Sequence, residues 1–416
     1  MRISCKNLNL DIKAPPSKSV CHRELIVNFI LGARGCYLDE SPDDNDDIRA
    51  TKSCLRALEN RDSETVILNC NESGSTLRFM IPVALAVKSP STETLVFKTR
   101  GRLIDRPVKE LAECLGPFGV KITKDHENKE ITVTGSIKPG KYVIDGSVSS
   151  QYISGLLMAL ASFDEGSTVE VTGGIASVHY IELTMATLSK YGIDVMKDGD
   201  VFVVSGRKNG NAVPSGDFTV EGDWSNGAFL LCLGSLIHGG SAKVSGLNME
   251  SVQGDREIMR FLRLAGISFL IENDTVFVQD SLINPVRKII DIDCSDIPDI
   301  VPYMAVTGAF RADKTVLNGI RRLRIKESDR AKAITDMLSA IGGNVTLEED
   351  TITIEYIDKK VIPDKIVLTS SGDHRMAMAA VLCAAATGRE IELDDINCLD
   401  KSFPEFRKVL LKEMTV

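Results

Sequence analysis

The chain repeats one pattern of apolar and polar positions. An amphipathic helical stretch ends in glycine, and alternating residues typical of a β-hairpin follow it. Four copies are clear: LAECLGPFGVKI, MATLSKYGIDVM, IMRFLRLAGISFLI and ITDMLSAIGGNVTL. Their glycines, Gly119, Gly192, Gly266 and Gly342, lie about 73, 74 and 76 residues apart, and glycine is the residue expected after a helix. With two weaker copies, CLRALENRDSETVIL and FRKVLLKEM, the repeat predicts six β/α units, three in each of two domains.

Six segments rich in Ser, Gly and Asp predict the starts of apolar helices: NESGS, GSVSSQ, ASVHY, EGDWSN, SDIPD and SGDHR. A seventh, APPSKSVCHREL, places Lys18 and Arg23 in the first turns of a helix with Ser17 as its cap. Helix N-termini are electropositive and normally favour acidic residues there. Cations at such a place, and several helix N-termini around one cleft, favour an anionic ligand.

Composition narrows the class of protein. A chain of 416 residues exceeds the usual size of one hydrophobic core, so we expect two domains. The net charge of −9 argues against a nucleic-acid or membrane-surface partner, and no apolar run is long enough to cross a bilayer. Ten cysteines without a C-x-x-C pair and five histidines without ligand spacing predict a cytoplasmic protein with neither a disulfide framework nor a metal site.

Charged residues cluster in three further segments. RLRIKESDRAKAI puts Lys326 and Arg330 on one helical face with Glu327 beside them. LDKSFPEF carries Lys401 next to an apolar turn, and GRLIDRPVKEL carries Arg106 before a predicted helix. Taken singly, each segment fits a solvated surface as well as an anion site.

Nine segments occur in order along nearly the whole chain: PPSKSVCHR, ESGSTLR, DRPVKEL, SSQYISGLLMAL, VEGDWSNGAFLL, SDIPDIVPYMAV, RIKESDR, DHRMAMA and DKSFPEF. Together they resemble the 5-enolpyruvylshikimate-3-phosphate synthase family, also called 3-phosphoshikimate 1-carboxyvinyltransferase. The resemblance implies an α/β fold of two similar domains, each an inside-out α/β barrel of three repeated β/α units. One domain would span residues 14–220 and the other residues 1–13 plus 221–416, with the active site in the cleft between them.

The resemblance also implies the substrates, shikimate-3-phosphate and phosphoenolpyruvate, and no cofactor or metal. The residues that match the shikimate-3-phosphate site are Lys18, Ser19, Arg23, Ser149, Ser150, Gln151, Ser177, Tyr180, Asp299 and Lys326. Those that match the phosphoenolpyruvate site are Lys18, Gly74, Arg106, Gln151, Arg330, Arg375 and Lys401. Bidentate pairing with phosphate and carboxylate explains why three of these cations are arginines.

The reaction that the resemblance implies needs an acid and a base. Asp299 matches the aspartate at the 5-hydroxyl of the acceptor, which makes it the predicted base. Glu327 and Lys18 are both candidates for delivering the proton to phosphoenolpyruvate. The implied product belongs to the shikimate pathway to chorismate and the aromatic amino acids.

Two positions depart from the family pattern, which commonly has Asn where this chain has Glu72 and Arg322. The ESGS turn is similar to a variant subgroup, which leaves open whether the inhibitor glyphosate acts on this protein.

Two other functions compete: the sister enzyme that transfers enolpyruvyl to UDP-N-acetylglucosamine, and a non-catalytic binder of phosphorylated metabolites. The sister enzyme typically carries a cysteine in the loop that here reads KTRGRLIDRPV, and this loop contains none, which favours the shikimate-3-phosphate branch. We expect a monomer.

Overall fold

The computed structural model describes residues 1–5, 8–33, 35–41, 44–59, 63–207, 213–282 and 285–414. The chain divides into two compact units. Met1–Ser17 and Glu221–Val416 form one, called here the discontinuous unit, and Lys18–Val220 forms the continuous unit.

The first boundary between the units lies four residues later than the sequence predicts, after Ser17. The segment from Ala14 onward is bonded to the discontinuous unit. The Ala14 amide donates to the Ser245 carbonyl at 2.8 Å, and Pro16 forms an antiparallel bridge with Gly222.

The described residues form twelve α-helices. Those of the continuous unit are α1 (Lys18–Ile30), α2 (Asp46–Glu59), α3 (Gly74–Val87), α4 (Lys109–Leu115), α5 (Ser150–Leu160) and α6 (Val178–Lys190). Those of the discontinuous unit are α7 (Trp224–Leu236), α8 (Ile258–Leu264), α9 (Val301–Arg311), α10 (Arg330–Ala340), α11 (His374–Thr387) and α12 (Pro404–Glu413). Among the residues that the structure describes, every helix is too short or too polar to span a bilayer.

Nineteen strands accompany the helices in the described residues. The discontinuous unit begins with β1 (Arg2–Ile3) and β2 (Asn9–Lys13). The continuous unit holds β3 (Thr65–Asn71), β4 (Thr94–Thr99), β5 (Lys121–Asp125), β6 (Glu130–Thr134), β7 (Lys141–Asp145), β8 (Ser167–Thr172), β9 (Val195–Asp198) and β10 (Val201–Val204). The discontinuous unit continues with β11 (Ser241–Ser245), β12 (Phe269–Glu272), β13 (Thr275–Gln279), β14 (Val286–Asp293), β15 (Ala312–Asn318), β16 (Val345–Leu347), β17 (Thr351–Glu355), β18 (Ile366–Leu368) and β19 (Ile391–Leu393).

One sheet design is repeated four times. The strand orders are β3-β4-β6-β5 and β7-β8-β10-β9 in the continuous unit, and β2-β11-β13-β12 and β14-β15-β17-β16 in the discontinuous unit. Each sheet combines one parallel pair with an antiparallel hairpin. The four hairpins are the ones that the sequence repeat predicts, and the glycine before each has a positive φ, from 66° to 89°. A smaller sheet, β1-β19-β18, completes the discontinuous unit.

The helices explain why the repeat is threefold in each unit. The central helices α1, α3 and α5 of the continuous unit pack on one another, as do α7, α9 and α11 of the discontinuous unit. Nearly all residues of α3, α5, α7, α9 and α11 are buried, as expected for helices that are apolar on every side. The sheets alternate buried and exposed residues, so their outer faces meet solvent. Buried central helices and sheets with one exposed face confirm the predicted α/β fold of repeated units, but the described strands form separate sheets and do not close into the predicted barrel.

Candidate active site

The N-terminal ends of α3 and α5 bring three predicted phosphoenolpyruvate residues together. A Cβ added to Gly74 would lie 2.3 Å from Nη1 of Arg106, so this guanidinium rests directly on the glycine backbone. Gln151, at the start of α5, accepts a hydrogen bond from Arg78 at 2.8 Å and donates one to Ser75 at 2.8 Å. The glutamine amide therefore has a fixed orientation beside the two arginines.

Lys18 is the first residue of α1 and belongs to the same region. Its ammonium donates to the Asp47 carboxylate at 2.9 Å. The Asp47 side chain is only 6% exposed and that of Lys18 is 17% exposed. The pairing holds the cationic end of Lys18 in one place while leaving part of it accessible.

Arg23 lies one turn farther along α1 and is almost fully buried, at 1% exposure. It donates to the carbonyl oxygens of Ser19 and Tyr180, at 2.6 and 2.7 Å, and to the Thr184 hydroxyl at 2.7 Å. Its guanidinium thus joins the start of α1 to the start of α6. In this structure the side chain of Arg23 orders the predicted shikimate-3-phosphate residues around it.

The predicted serines stand at two helix starts. Ser149 precedes α5, and its hydroxyl accepts a hydrogen bond from the Gln151 amide at 3.3 Å; Ser150 is the first residue of that helix. Ser177 precedes α6 with φ 52° and ψ 61°, a left-handed conformation that is uncommon for serine. Such strain tends to occur at functional sites.

A second cluster forms at the starts of α10 and α11 in the discontinuous unit. Arg330 is 1% exposed and binds three carboxylates, those of Asp299, Glu327 and Asp373, each at 2.7 Å. A second bond to Asp373, at 3.2 Å, makes that pair bidentate. One buried cation therefore fixes the predicted base and one of the two proposed acids.

The other predicted cations of this unit surround the same carboxylates. The ammonium of Lys326 lies 3.2 Å from Asp299, and that of Lys401 lies 3.8 Å from Glu327. Arg375 is buried and donates to the Tyr303 hydroxyl at 2.9 Å. All six predicted residues of the discontinuous unit thus lie on the starts of α9, α10, α11 and α12 or just before them.

The charges in this cluster shift the pKa values of their neighbours. Burial alone would raise the pKa of Asp299, but Lys326 and Arg330 hold it well below its ordinary value. Burial lowers the pKa of Lys326 to about 8, although Asp299 opposes that change. At neutral pH, Asp299 is therefore an ionised acceptor, and Lys326 can exchange a proton near that pH.

The sequence-based analysis missed several residues that shape the two clusters: Arg78, Asp47, Asp373 and Asp255. Each is a charged residue buried at or near the start of a helix. Burial raises the pKa of Asp255 to about 7, and the charge of Asp299 adds to the effect. Arg78 and Asp373 lie inside the quoted ESGSTLR and DHRMAMA motifs, so the signal was present there without an assigned role.

Of the two positions that depart from the family pattern, Glu72 lies in the turn before α3, and its carboxylate lies 2.4 Å from where a Cβ on Gly101 would be. Arg322 lies close enough to Lys326 to lower its pKa. That the ESGS turn marks a variant subgroup stays a prediction. Among the described residues, no group of three or more His, Cys, Asp or Glu side chains is arranged around a common point as metal ligands would be.

Comparisons with known proteins agree on one family. The sequence profile of EPSP synthase (3-phosphoshikimate 1-carboxyvinyltransferase) matches residues 4–410. The 3-phosphoshikimate 1-carboxyvinyltransferase of Clostridioides difficile (strain 630) is 31% identical, over 98% of this chain and 96% of that protein. The EPSP synthase structure from Acinetobacter baumannii has a TM-score of 0.74 at 21% identity, covering 100% of this chain and 98% of that one. The enolpyruvyl transferase NikO from Streptomyces tendae shares the fold with a TM-score of 0.73 at 14% identity, over 99% and 97% of the two chains. The chain belongs to the EPSP synthase family.

Proposed function

We propose that this protein transfers the enolpyruvyl group of phosphoenolpyruvate to the 5-hydroxyl of shikimate-3-phosphate and releases phosphate. The observation that carries the proposal is the discontinuous-unit cluster, where Arg330 holds Asp299 and Glu327 among Lys326, Lys401 and other cations. This arrangement supplies a base, an acid and fixed positive charge for two anionic substrates.

Shikimate-3-phosphate is the proposed ligand of the helix starts of α1, α5 and α6 together with two residues of the discontinuous unit. Its contacts would be Lys18, Ser19, Arg23, Ser149, Ser150, Gln151, Ser177, Tyr180, Asp299 and Lys326. Hydroxyl groups and backbone amides at helix N-termini suit a phosphate and a polyhydroxylated ring. The buried bonds of Arg23 support a role in which it orders these residues as well as contacting the ring.

Phosphoenolpyruvate would be held by Lys18, Gly74, Arg106, Gln151, Arg330, Arg375 and Lys401. The absence of a side chain at Gly74 lets the Arg106 guanidinium approach the backbone. Guanidinium groups pair with carboxylate and phosphate in a bidentate manner. Strong fixed charge at this site would stabilise the phosphate as it leaves.

The proposed reaction has two steps. The 5-hydroxyl oxygen forms a bond to carbon 2 of phosphoenolpyruvate and loses its proton to Asp299, while carbon 3 gains a proton from Glu327 or Lys18. The tetrahedral intermediate then loses phosphate from carbon 2, and a proton returns from carbon 3 to the group that donated one in the first step, which restores the double bond. The cations keep Asp299 a weak base in the structure described here. Substrate anions that draw Arg330 and Lys326 toward themselves would raise its basicity.

The test is a coupled assay of phosphate release. Phosphate should appear from phosphoenolpyruvate only when shikimate-3-phosphate is present. Asp299→Asn should lower turnover about 10²-fold or more while the variant still folds and binds phosphoenolpyruvate. Near-normal turnover in a folded Asp299→Asn variant would remove the base assignment.

The same assay separates the competing functions. Release that depends on UDP-N-acetylglucosamine would favour the sister activity, and binding of both ligands without release would favour a non-catalytic binder. We also propose glyphosate as an inhibitor that competes with phosphoenolpyruvate. A series of glyphosate concentrations at several phosphoenolpyruvate levels tests this point, and non-competitive inhibition or none would contradict it.

Two further proposals concern the state of the protein. We propose that it acts as a monomer; light scattering at assay concentration measures its oligomeric state, and a dimer would contradict the proposal. We propose a cytoplasmic location, because the nine described cysteines are free thiols, as is usual in a reducing compartment. Detection of the protein in a fractionated cell extract tests it.

A further inference from the structure

Two helices of the continuous unit are joined by matched polar contacts one turn apart. Lys18 and His22 lie on one face of α1, and Asp47 and Thr51 lie on one face of α2. The Lys18 ammonium bonds to Asp47 at 2.9 Å, and Nδ1 of His22 bonds to the Thr51 hydroxyl at 2.8 Å. Equal spacing on both helices means that these two contacts fix one register between them.

The contacts continue into the turn that carries Gly74. The Thr51 hydroxyl bonds to that of Thr76 at 2.7 Å, and Thr76 in turn bonds to the Ser73 hydroxyl at 2.7 Å. Ser73 is the N-cap of α3 and accepts the Thr76 amide at 3.2 Å. We call the hydrogen-bonded series of side chains His22, Thr51, Thr76 and Ser73 the polar ladder. It ends one residue before Gly74.

The polar ladder is buried from end to end. His22 and Ser73 are 1% exposed, and Thr51 and Thr76 are 0% exposed. The ring of His22 meets that of Phe79 edge to face at 6.1 Å. Burial lowers the pKa of His22 to about 3, although the Asp47 charge opposes the shift. The imidazole is therefore neutral and contributes hydrogen bonding rather than charge.

Such a buried chain is sensitive to small changes. Removal of the Thr51 hydroxyl leaves Nδ1 of His22 without its partner and takes one of the bonds of Thr76, which keeps its bond to Ser73. A buried polar group without a partner is costly. Apolar packing alone would hold the three helices together but would allow them to slide relative to one another. The polar ladder adds directional bonds that favour one arrangement.

We propose that His22, Thr51 and Thr76 are positioning residues, which hold the Lys18 ammonium and the Gly74 turn at a fixed separation for phosphoenolpyruvate. This inference rests on the proposed enolpyruvyl transfer. None of the three residues touches the reacting atoms. They act through Lys18 and through the backbone of the turn, where a displacement of about 1 Å can lower a rate about 10²-fold.

The test compares two isosteric substitutions. Thr51→Val removes the hydroxyl that joins both halves of the polar ladder. Thr187→Val is the matched control, because Thr187 is a buried threonine of the same unit whose hydroxyl, among the described residues, bonds only to the Leu183 carbonyl, at 2.8 Å. Thr51→Val should lower kcat/KM for phosphoenolpyruvate about 10- to 100-fold, with a smaller change in KM for shikimate-3-phosphate. Thr187→Val should leave both constants nearly unchanged. Equal kinetic effects at comparable thermal stability would overturn the proposal.

Substitutions of His22 provide a rescue and a coupling test. His22→Asn keeps a hydrogen-bonding nitrogen near the position of Nδ1 and should retain most activity. The activity of His22→Leu should fall to the level of Thr51→Val. The His22→Leu/Thr51→Val double variant should be no worse than either single variant, because both break the same chain. Independent, additive losses would contradict a shared role.

Hydrogen–deuterium exchange gives a readout that does not depend on activity. Thr51→Val should accelerate exchange at the first turn of α3, which includes the Thr76 amide, and Thr187→Val should not. If the wild-type protein releases no phosphate but the exchange difference appears, the proposed function fails and the positioning of the turn stands. If phosphate release is normal and exchange in the turn is unchanged, the polar ladder does not position it.

Discussion

Replacement of Arg330 by methionine should destabilise the discontinuous unit far more than the same replacement of a surface arginine would. Arg330 is 1% exposed and its partner Asp373 is 0% exposed, so Arg330→Met leaves a buried carboxylate without its cation. Removal of one partner from a buried pair costs about 3–5 kcal/mol. For a unit of this size, each kcal/mol lowers Tm by about 2–4 °C, so we expect a fall of about 6–20 °C.

Arg407 offers the matched control. Its Nε lies 2.7 Å from Asp400, the same distance as that between Arg330 and Asp373, but both side chains are about 30% exposed. An exposed pair contributes about 0–1 kcal/mol, so Arg407→Met should have little effect. Since the distances are equal, the expected difference comes from burial and from the two further carboxylates that Arg330 binds.

A double variant tests the cause. Asp373→Asn keeps an oxygen that can accept the Arg375 amide at the start of α11, now at 2.9 Å, and Asn caps helices as well as Asp does. Arg330→Met/Asp373→Asn should therefore be more stable than Arg330→Met by about 1–3 kcal/mol, since the unpaired charge is gone. Asp373→Asn by itself should destabilise the protein.

Unfolding is best followed by tryptophan fluorescence. Trp224, the one tryptophan of the chain, is fully buried in the discontinuous unit and reports on that unit directly. Urea midpoints of the four variants and the wild type give the free energies of unfolding. The explanation by buried charge is wrong if Arg330→Met loses no more stability than Arg407→Met. It is also wrong if the Arg330→Met/Asp373→Asn double variant is no more stable than Arg330→Met.

Three further predictions follow from the two clusters. Gly74→Ala should raise KM for phosphoenolpyruvate about 10- to 100-fold, because the new methyl would lie 2.3 Å from Nη1 of Arg106 and must displace that guanidinium; steady-state kinetics with an unchanged KM would refute it. Asp255→Asn should gain stability relative to the wild type as the pH rises from 4 to 8. The pKa of Asp255 is raised to about 7, so the stability that its protonated carboxyl contributes to the wild type is complete below about pH 4 and is lost as the pH rises through 7. Parallel Tm profiles of the two proteins would contradict this. Arg375→Ala should weaken phosphoenolpyruvate binding by about 1.5–3 kcal/mol and leave shikimate-3-phosphate affinity nearly unchanged in calorimetry, and equal losses for both ligands would remove its assignment.

Much of the fold could be predicted because its signals are local. The glycine after each helix and the alternating hairpin that follows depend on neighbouring residues alone, and φ at Gly119, Gly192, Gly266 and Gly342 is positive as expected. The spacing of the repeats then gave three units per domain. The sequence predicts the first domain boundary after residue 13, whereas the compact unit extends to Ser17. The difference depends on contacts with residues more than two hundred positions away, such as the bond from Ala14 to Ser245.

The candidate site divides in the same way. The sequence determined which residue types are present at each helix start, and the anionic character of the ligands follows from them. Only the tertiary structure decided which of these residues bind one another: Arg23 meets Thr184, which is 161 positions away, and Arg330 meets Asp373, 43 positions away. Burial, which shifts the pKa values of Asp299 and Lys326, also arises only when distant segments pack together. Residue types and local backbone signals depend on neighbours in the sequence, whereas hydrogen-bond partners and desolvation depend on the three-dimensional neighbours that the fold supplies.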